Sequence, residues 1–203
     1  MSNVNTKAFN KIGYGLYVIS ARRGEKDNAM IANTVCQVAS DPLRISVCIN
    51  KQNYTHDMIK ETGILNVNCL SESAPFSVFQ AYGFRSGRDT DKLEGAAFTR
   101  SENGIAVLSE HVNAFMSLKV EQYIDLGSHG MFICSVTEAD VKENTESMTY
   151  SFYHAHVKPK KQETKKKGYV CRICGYVYEG HPLPEDFVCP ICKHGPEDFE
   201  EIK

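Results

Sequence analysis

The chain has 203 residues, 42% hydrophobic and 24% charged, with 23 basic against 25 acidic side chains and a formal charge of −2. That composition is globular, and near-neutrality gives no global attraction to nucleic acid or to an anionic membrane. No apolar run reaches the roughly 18–20 residues of a membrane-spanning helix. Met1-Ser2-Asn3-Val4-Asn5-Thr6 also lacks the basic and apolar stretches of a secretory leader, so the cytoplasm is the expected compartment.

In chain order, Ala8, Phe9 and Ile12 stand at helical intervals behind Thr6, predicting a short helix over 6–12 with Thr6 as its cap. A strand is predicted over 16–21, a polar turn over 22–27, a second β-rich run over 30–39, and a third strand over 44–49 after Asp41-Pro42. A helix over 57–61 closes at Gly63, and the alternation in Ile64-Leu65-Asn66-Val67-Asn68-Cys69-Leu70 predicts a strand with one polar face. Ala74 to Tyr82 reads as a helix capped by Ser73, with Pro75 in its first turn. Two long strands follow, 114–126 and 131–141, joined at Gly127-Ser128-His129-Gly130. Strands at this spacing predict a mainly β, α+β protein built on an antiparallel sheet or barrel, not a doubly wound fold.

From Lys158 to Gly168 the sequence has six lysines and no large apolar residue. It reads as a linker extended by like-charge repulsion; no aromatics interleave the lysines as a nucleic-acid-binding strip would require.

Beyond it, Cys171-Arg172-Ile173-Cys174 and Cys189-Pro190-Ile191-Cys192 are two CxxC pairs fourteen residues apart. A two-residue spacer lets both sulfurs of a pair converge, and two pairs make a tetrahedral thiolate site for zinc or iron. Spacing alone leaves the two metals open. A segment this short needs the metal for its folding energy, helped by an aromatic cluster of Tyr169, Tyr176, Tyr178, Phe187 and Phe199. Its seven carboxylates against three cations suit brief docking on a basic partner surface, or simply a solvated exterior. Cys36, Cys48, Cys69 and Cys134 lie in strand-like runs and are expected to be reduced and buried.

Tyr169 to Gly180 resembles the first knuckle of rubredoxin, and Pro184 to Cys192 its second, which favours iron. Lys193 stands where the second knuckle usually has glycine; Gly175 keeps that rule in the first. That exchange is expected to alter one amide-to-sulfur hydrogen bond, and hence the potential, more than ligation.

No GxGxxG follows a strand. Thr55 and His56 instead open a helix whose amides and dipole favour an anion, with Lys51 and Asn53 just upstream. Residues 28–42 and 50–56, together with Phe84 to Lys92 and Gly127-Ser128-His129, resemble the flavin reductase family. That resemblance implies a homodimeric, FMN-binding split β-barrel. It places Asn33, Thr34, Cys36 and Gln37 along the isoalloxazine, Lys51, Asn53, Thr55 and His56 at the phosphate, and Arg85, Ser86 and Arg88 over the cofactor. His129 would orient nicotinamide or protonate flavin. Ile31, Cys36 and Ala39 replace hydroxyl residues common in relatives, and Cys36 is thereby a candidate to face the flavin.

Together the halves resemble the high-molecular-weight rubredoxins. The expected organisation is a flavin reductase-like split barrel at 1–157, a lysine-rich linker at 158–168 and a rubredoxin-like iron domain at 169–203. The resemblance implies transfer from NAD(P)H, directly or through a reductase, via FMN and mononuclear iron to a flavodiiron nitric oxide or dioxygen reductase. Two alternatives stand beside it: an NAD(P)H:FMN oxidoreductase that releases reduced flavin, and a zinc-stabilised docking module on a flavin protein.

Overall fold

The structure, a computed structural model, describes residues 4–159 and 168–202. Most of the expected linker, 160–167, lies outside the described residues. After a 3-10 turn at Thr6–Lys11 come β1 (Tyr17–Arg23), β2 (Lys26–Ala32), β3 (Val35–Ser40), β4 (Leu43–Asn50), α1 (Tyr54–Thr62), β5 (Ile64–Leu70) and α2 (Phe76–Gly83). Then follow β6 (Phe98–Arg100), β7 (Ala106–Leu108), β8 (Val112–Asp125), β9 (His129–Val141) and a helical turn, α3 (Tyr150–Phe152), continued by Tyr153–Val157. Seven strands form one antiparallel sheet in the order β2-β1-β5-β8-β9-β4-β3. The expected mainly β, antiparallel architecture is the observed one.

The turn over 22–27 is shorter than its polarity suggests. Arg22 pairs with Asp27 and Arg23 with Lys26, so only Gly24-Glu25 turn, with Gly24 at φ 58°. The run over 30–39 is two strands, broken after Ala32 so that Thr34 can bond Cys48. The N-terminal turn is capped by Asn5, whose side chain accepts from the Lys7 amide, not by Thr6. Pro75, not Ser73, caps α2.

A larger difference lies in β5. Its alternation predicts a wet face, yet Asn66 and Asn68 are both fully buried. The β6–β7 hairpin lies over that face and provides their partners. Asn66 Nδ2 donates to Ser101 Oγ at 2.7 Å, Asn68 Oδ1 accepts from the Leu108 amide at 2.9 Å, and Ser20 Oγ donates to Ala106 O at 2.6 Å. Buried amides are stable only when so satisfied. The sheet therefore carries apolar clusters on both faces, one around Ile19, Val47, Leu65 and Phe132, the other around Val18, Leu70, Phe79 and Met148.

The C-terminal segment has its own sheet, β11-β10-β12, from β10 (Gly168–Cys171), β11 (Val177–Tyr178) and β12 (Phe199–Ile202). Phe187 packs on Tyr178 and Phe199 at centroid distances of 4.7 and 5.3 Å and stacks more loosely on Tyr176. Tyr169 instead stacks on His181 at 5.6 Å. Among the described residues no helix is long and apolar enough to cross a membrane.

Candidate functional site

The four cysteines converge. The sulfurs of Cys171, Cys174, Cys189 and Cys192 all lie within 4.8 Å of one another, with Cys171–Cys192 and Cys174–Cys189 at 3.5 Å. A tetrahedron with metal–sulfur bonds of ~2.3 Å has edges of about 3.8 Å, so the donor set fits a metal of that size.

Two matching turns build it. The Gly175 amide donates to Cys171 O and the Lys193 amide to Cys189 O, at 2.9 and 3.0 Å. The Cys171 amide donates to Tyr176 O and the Cys189 amide to His194 O, at 2.8 and 2.9 Å. Both turns need a left-handed residue after the last cysteine: Gly175 has φ 82°, and Lys193 takes φ 64°. Burial pushes the Cys174 thiol up to about 11 and raises Cys192 as well, because without a metal the thiolate has lost its water. Burial acts in the same direction on Cys189, but donation from the Cys192 and Ile191 amides leaves it below the usual thiol range. A cation among four such sulfurs supplies the missing countercharge.

The second site is a cavity of about 440 Å³ at the start of α1. Asn53 caps this helix from extended backbone while its side chain makes no capping bond. That leaves it, with Thr55, Arg85 and Ser86, facing the cavity. Free helix-start amides favour an anion there. Asp57 in the same turn would oppose one, but Arg88 pairs with it at 2.8 Å and holds its carboxyl below the usual range. Arg23, Lys26 and Arg88 all lie about the Tyr54 ring, at 5.3, 4.9 and 5.0 Å, adding positive field beside the opening.

Among the lining residues that sequence reasoning did not assign, two carry buried polar groups. Asn28 is 2% exposed; its Nδ2 donates to Thr55 Oγ1 at 2.8 Å, and its Oδ1 is buried without a partner. An orphaned acceptor beside a polar cavity fits a ligand hydroxyl, as a ribityl chain would offer. Lys92 donates to Tyr82 O at 3.0 Å, and burial lowers its ammonium to about 8. A polar residue in a β-run and a lysine in a charged loop carry no signal of burial, so neither was recoverable from pattern.

The cavity continues. It shares Gly83, Phe84 and Ile173 with a space of about 270 Å³, which shares Tyr150 and His154 with an apolar one of about 530 Å³ containing Asn33. Through these shared walls the three adjoin in series as one trench.

Comparison with known proteins assigns both parts. Residues 9–160 match the flavin reductase like domain family, and residues 169–200 the rubrerythrin, rubredoxin-like domain. High molecular weight rubredoxin of Moorella thermoacetica is 38% identical over 98% of this chain and 100% of its own. The chain belongs to the flavin reductase-like, rubredoxin-fused family. Ferric-chelate reductase (NAD(P)H) of Archaeoglobus fulgidus is 34% identical over 79% of this chain and 95% of its own. The solved NADH:FAD oxidoreductase SgcE6 of Streptomyces globisporus superposes with a TM-score of 0.65 at 18% identity, covering 75% of this chain and 94% of that one. This flavin reductase-like chain is thus a flavin-dependent redox protein with iron as its metal.

The structure distributes the residues expected at the flavin. Asn53, Thr55, Arg85 and Ser86 line the first cavity, and Asn33 the far end of the trench. Arg88 opens onto a neighbouring cavity of about 390 Å³ while holding Asp57. His56 does not line that cavity. Its ring is buried against Phe132, with Nε2 3.2 Å from Tyr123 Oη and Nδ1 3.2 Å from Asp57. The Lys51 ammonium is committed to Asp125 at 2.8 Å. His129 stands opposite Asn50 on the β4–β9 ladder with Nδ1 2.9 Å from Ser128 Oγ, and is absent from the cavity lining. Thr34 Oγ1 bonds Cys48 O at 2.6 Å, while Cys36 and Gln37 are exposed on β3. Cys134 is buried and Cys48 and Cys69 half-buried, but Cys36 is not the buried thiol expected: it lies exposed on β3, the last strand of the sheet.

Proposed function

We propose that the chain passes electrons from reduced pyridine nucleotide, directly or through a reductase, by way of FMN to the four-cysteine iron, and onward to a flavodiiron nitric oxide or dioxygen reductase. One observation carries this reading. Ile173 and His194, which belong to the two metal-binding turns, line the same cavity as Asn53, Thr55, Arg85 and Ser86. Flavin takes up two electrons together and yields them singly, whereas a thiolate-bound iron holds one, so their adjacency makes a two-to-one adaptor.

The chain's own residues would divide the work. Asn53, Thr55, the α1 amides, Arg85, Ser86 and Lys92 receive the phosphate, Asn28 accepts from the ribityl chain, and Asn33, Thr34, Cys36 and Gln37 meet the ring at the far end. Lys51, His56 and Arg88 act one step back, by holding Asp125, Tyr123 and Asp57. His129, near Asn50, is left for the nicotinamide. The domain limits follow: 1–157 for flavin, 158–168 as tether and 169–203 for iron. A second copy would cover the sheet edge at β3, where Val38 of β3 and Leu43 at the start of β4 are 52% and 43% exposed. The acidic exterior of the iron segment suits a partner presenting basic residues.

Anaerobic stopped-flow absorbance tests the path. Adding NADH, with a catalytic reductase where needed, should bleach the ferric-thiolate bands after the flavin band. Flavin reduction that leaves the iron oxidised over many turnovers would sink the reading.

A further inference from the structure

We propose that the iron domain docks on its own flavin domain through the tips of its two metal turns. In this position it walls the flavin cavity, and it must leave before an external partner can reach the iron. The inference rests on the electron path proposed above and names the surface that path uses.

Phe76, Gln80 and Phe84 stand at intervals of four along α2 and its C-cap, so they form one stripe. A second side of the helix, through Phe79 and Tyr82, is buried in the sheet's own core. The stripe lies between that core, which Phe76 and Phe84 also touch, and the metal turns. Phe76 and Phe84, with ring centroids 5.8 Å apart, pack against the four-cysteine cluster together with Ile173 and Ile191. Gln80 Nε2 donates to Ile191 O. Ile173 and Ile191 occupy the same place in the two CxxC turns, just before the second cysteine of each. The turns' near-symmetry therefore puts both isoleucines on one face.

That face is the approach to the metal. All four cysteines are at most 3% exposed, so exchange by contact goes through the residues that cover them. Phe84 touches both sides: it lines the flavin cavity and packs on the cysteine cluster. Docking thus brings the iron's apolar face onto the wall of the cleft. The same isoleucines cannot meet a second protein while α2 covers them. Contacts between domains of this limited size form and break readily. The external partner would present an apolar patch to Ile173 and Ile191 and basic residues to the segment's exposed Glu185, Asp186, Glu200 and Glu201.

Gln80→Glu removes the donor to Ile191 O and sets a carboxylate against it, without touching the flavin cavity; Phe84→Glu attacks the stripe's other end. Both are made in the full chain, with iron and flavin content checked. Small-angle scattering of the as-purified proteins should show a compact particle that expands in each variant. The internal step, iron bleaching after flavin reduction, should slow about tenfold, since only the docked fraction is competent. Iron prereduced with dithionite should pass its electron to cytochrome c, a basic one-electron acceptor, faster in Gln80→Glu than in wild type. Unchanged scattering in both variants overturns the docking whatever the kinetics do. Expanded scattering with equal or slower cytochrome c reduction overturns the mutual exclusion. A wild type that is compact while its iron is never reduced by flavin leaves the docking intact and defeats the proposed path instead.

Discussion

The two redox sites are encoded in opposite ways. The metal centre is local: four ligands within 22 consecutive residues, held by two turns whose hydrogen bonds span only a few positions. The cleft proposed for flavin is assembled from residues 28, 50, 52–55, 83–87 and 92 of the larger part, which meet only after β1, β2 and α1 have closed on one another. A local site needs its ligand to fold, whereas a long-range site is folded before its ligand arrives. Loss of one cysteine and loss of one cleft residue should accordingly have different reach.

The largest effect is expected from Cys171→Ser. Structural metal binding in small domains amounts to roughly 10 kcal/mol or more, far beyond what a segment of this size holds in other interactions. The iron should be lost and residues 168–202 unfold, while flavin stays bound to the larger part. Metal analysis with flavin absorbance checks both halves, and simultaneous flavin loss would erase the contrast.

Next comes Gly87→Ala. A Cβ at Gly87 would overlap Asn28 Oδ1, and Asn28 is pinned by its bond to Thr55. Overpacking of this kind costs about 1–3 kcal/mol, here in both stability and flavin affinity, because the displaced amide lines the cleft. Thermal denaturation and flavin titration read the two effects; an affinity loss with no change in iron content is the expected pattern.

The same contrast explains what was legible. CxxC spacing announces its chemistry because the ligands are neighbours. Strand and helix positions were also readable, since β5 and α1 carry their period and their Gly63 stop in the sequence. What pattern reading missed was the third dimension. Asn66 and Asn68 alternate like surface residues but lie under the β6–β7 hairpin. His56 follows the cavity-lining Thr55 in sequence, yet one helical step turns its ring into the core against Phe132. Asn28 and Lys92 entered the site only because distant segments closed over them.

Lys92 gives a pH test of the cleft. Its folded value of about 8 lies below the ordinary 10.5, so between these values the unfolded chain holds a proton the folded one lacks. Stability of the flavin-free protein should therefore rise with pH across that window. Flavin affinity should run the other way. The phosphate is already a dianion above its second pKa of about 6, so only the lysine loses charge as pH passes 8, and binding should weaken by about tenfold. In Lys92→Met, flavin should bind more weakly at pH 7 and the profile from 7 to 9.5 should flatten. A variant that keeps the wild-type slope would remove Lys92 from the phosphate's neighbourhood.

The smallest effect separates the two metal turns. Lys193 holds the left-handed conformation that Gly175 holds in the matching turn. A side chain there costs roughly 1–2 kcal/mol, and glycine's extra freedom in the unfolded chain returns about 0.5–1 kcal/mol of that. Lys193→Gly should thus stabilise the iron segment by no more than about 1.5 kcal/mol, seen as slower iron loss to a chelator, with the flavin half unmoved. The hydrogen bond from this position to Cys189 O is a backbone one, at 3.0 Å, so it survives the change, and only the side chain's positive charge is removed. A lower iron reduction potential is the expected consequence, because a cation near the centre favours the reduced, more negative state. A potential unchanged by the substitution would mean that the lysine's ammonium is fully screened by solvent, and that the two turns differ in strain alone.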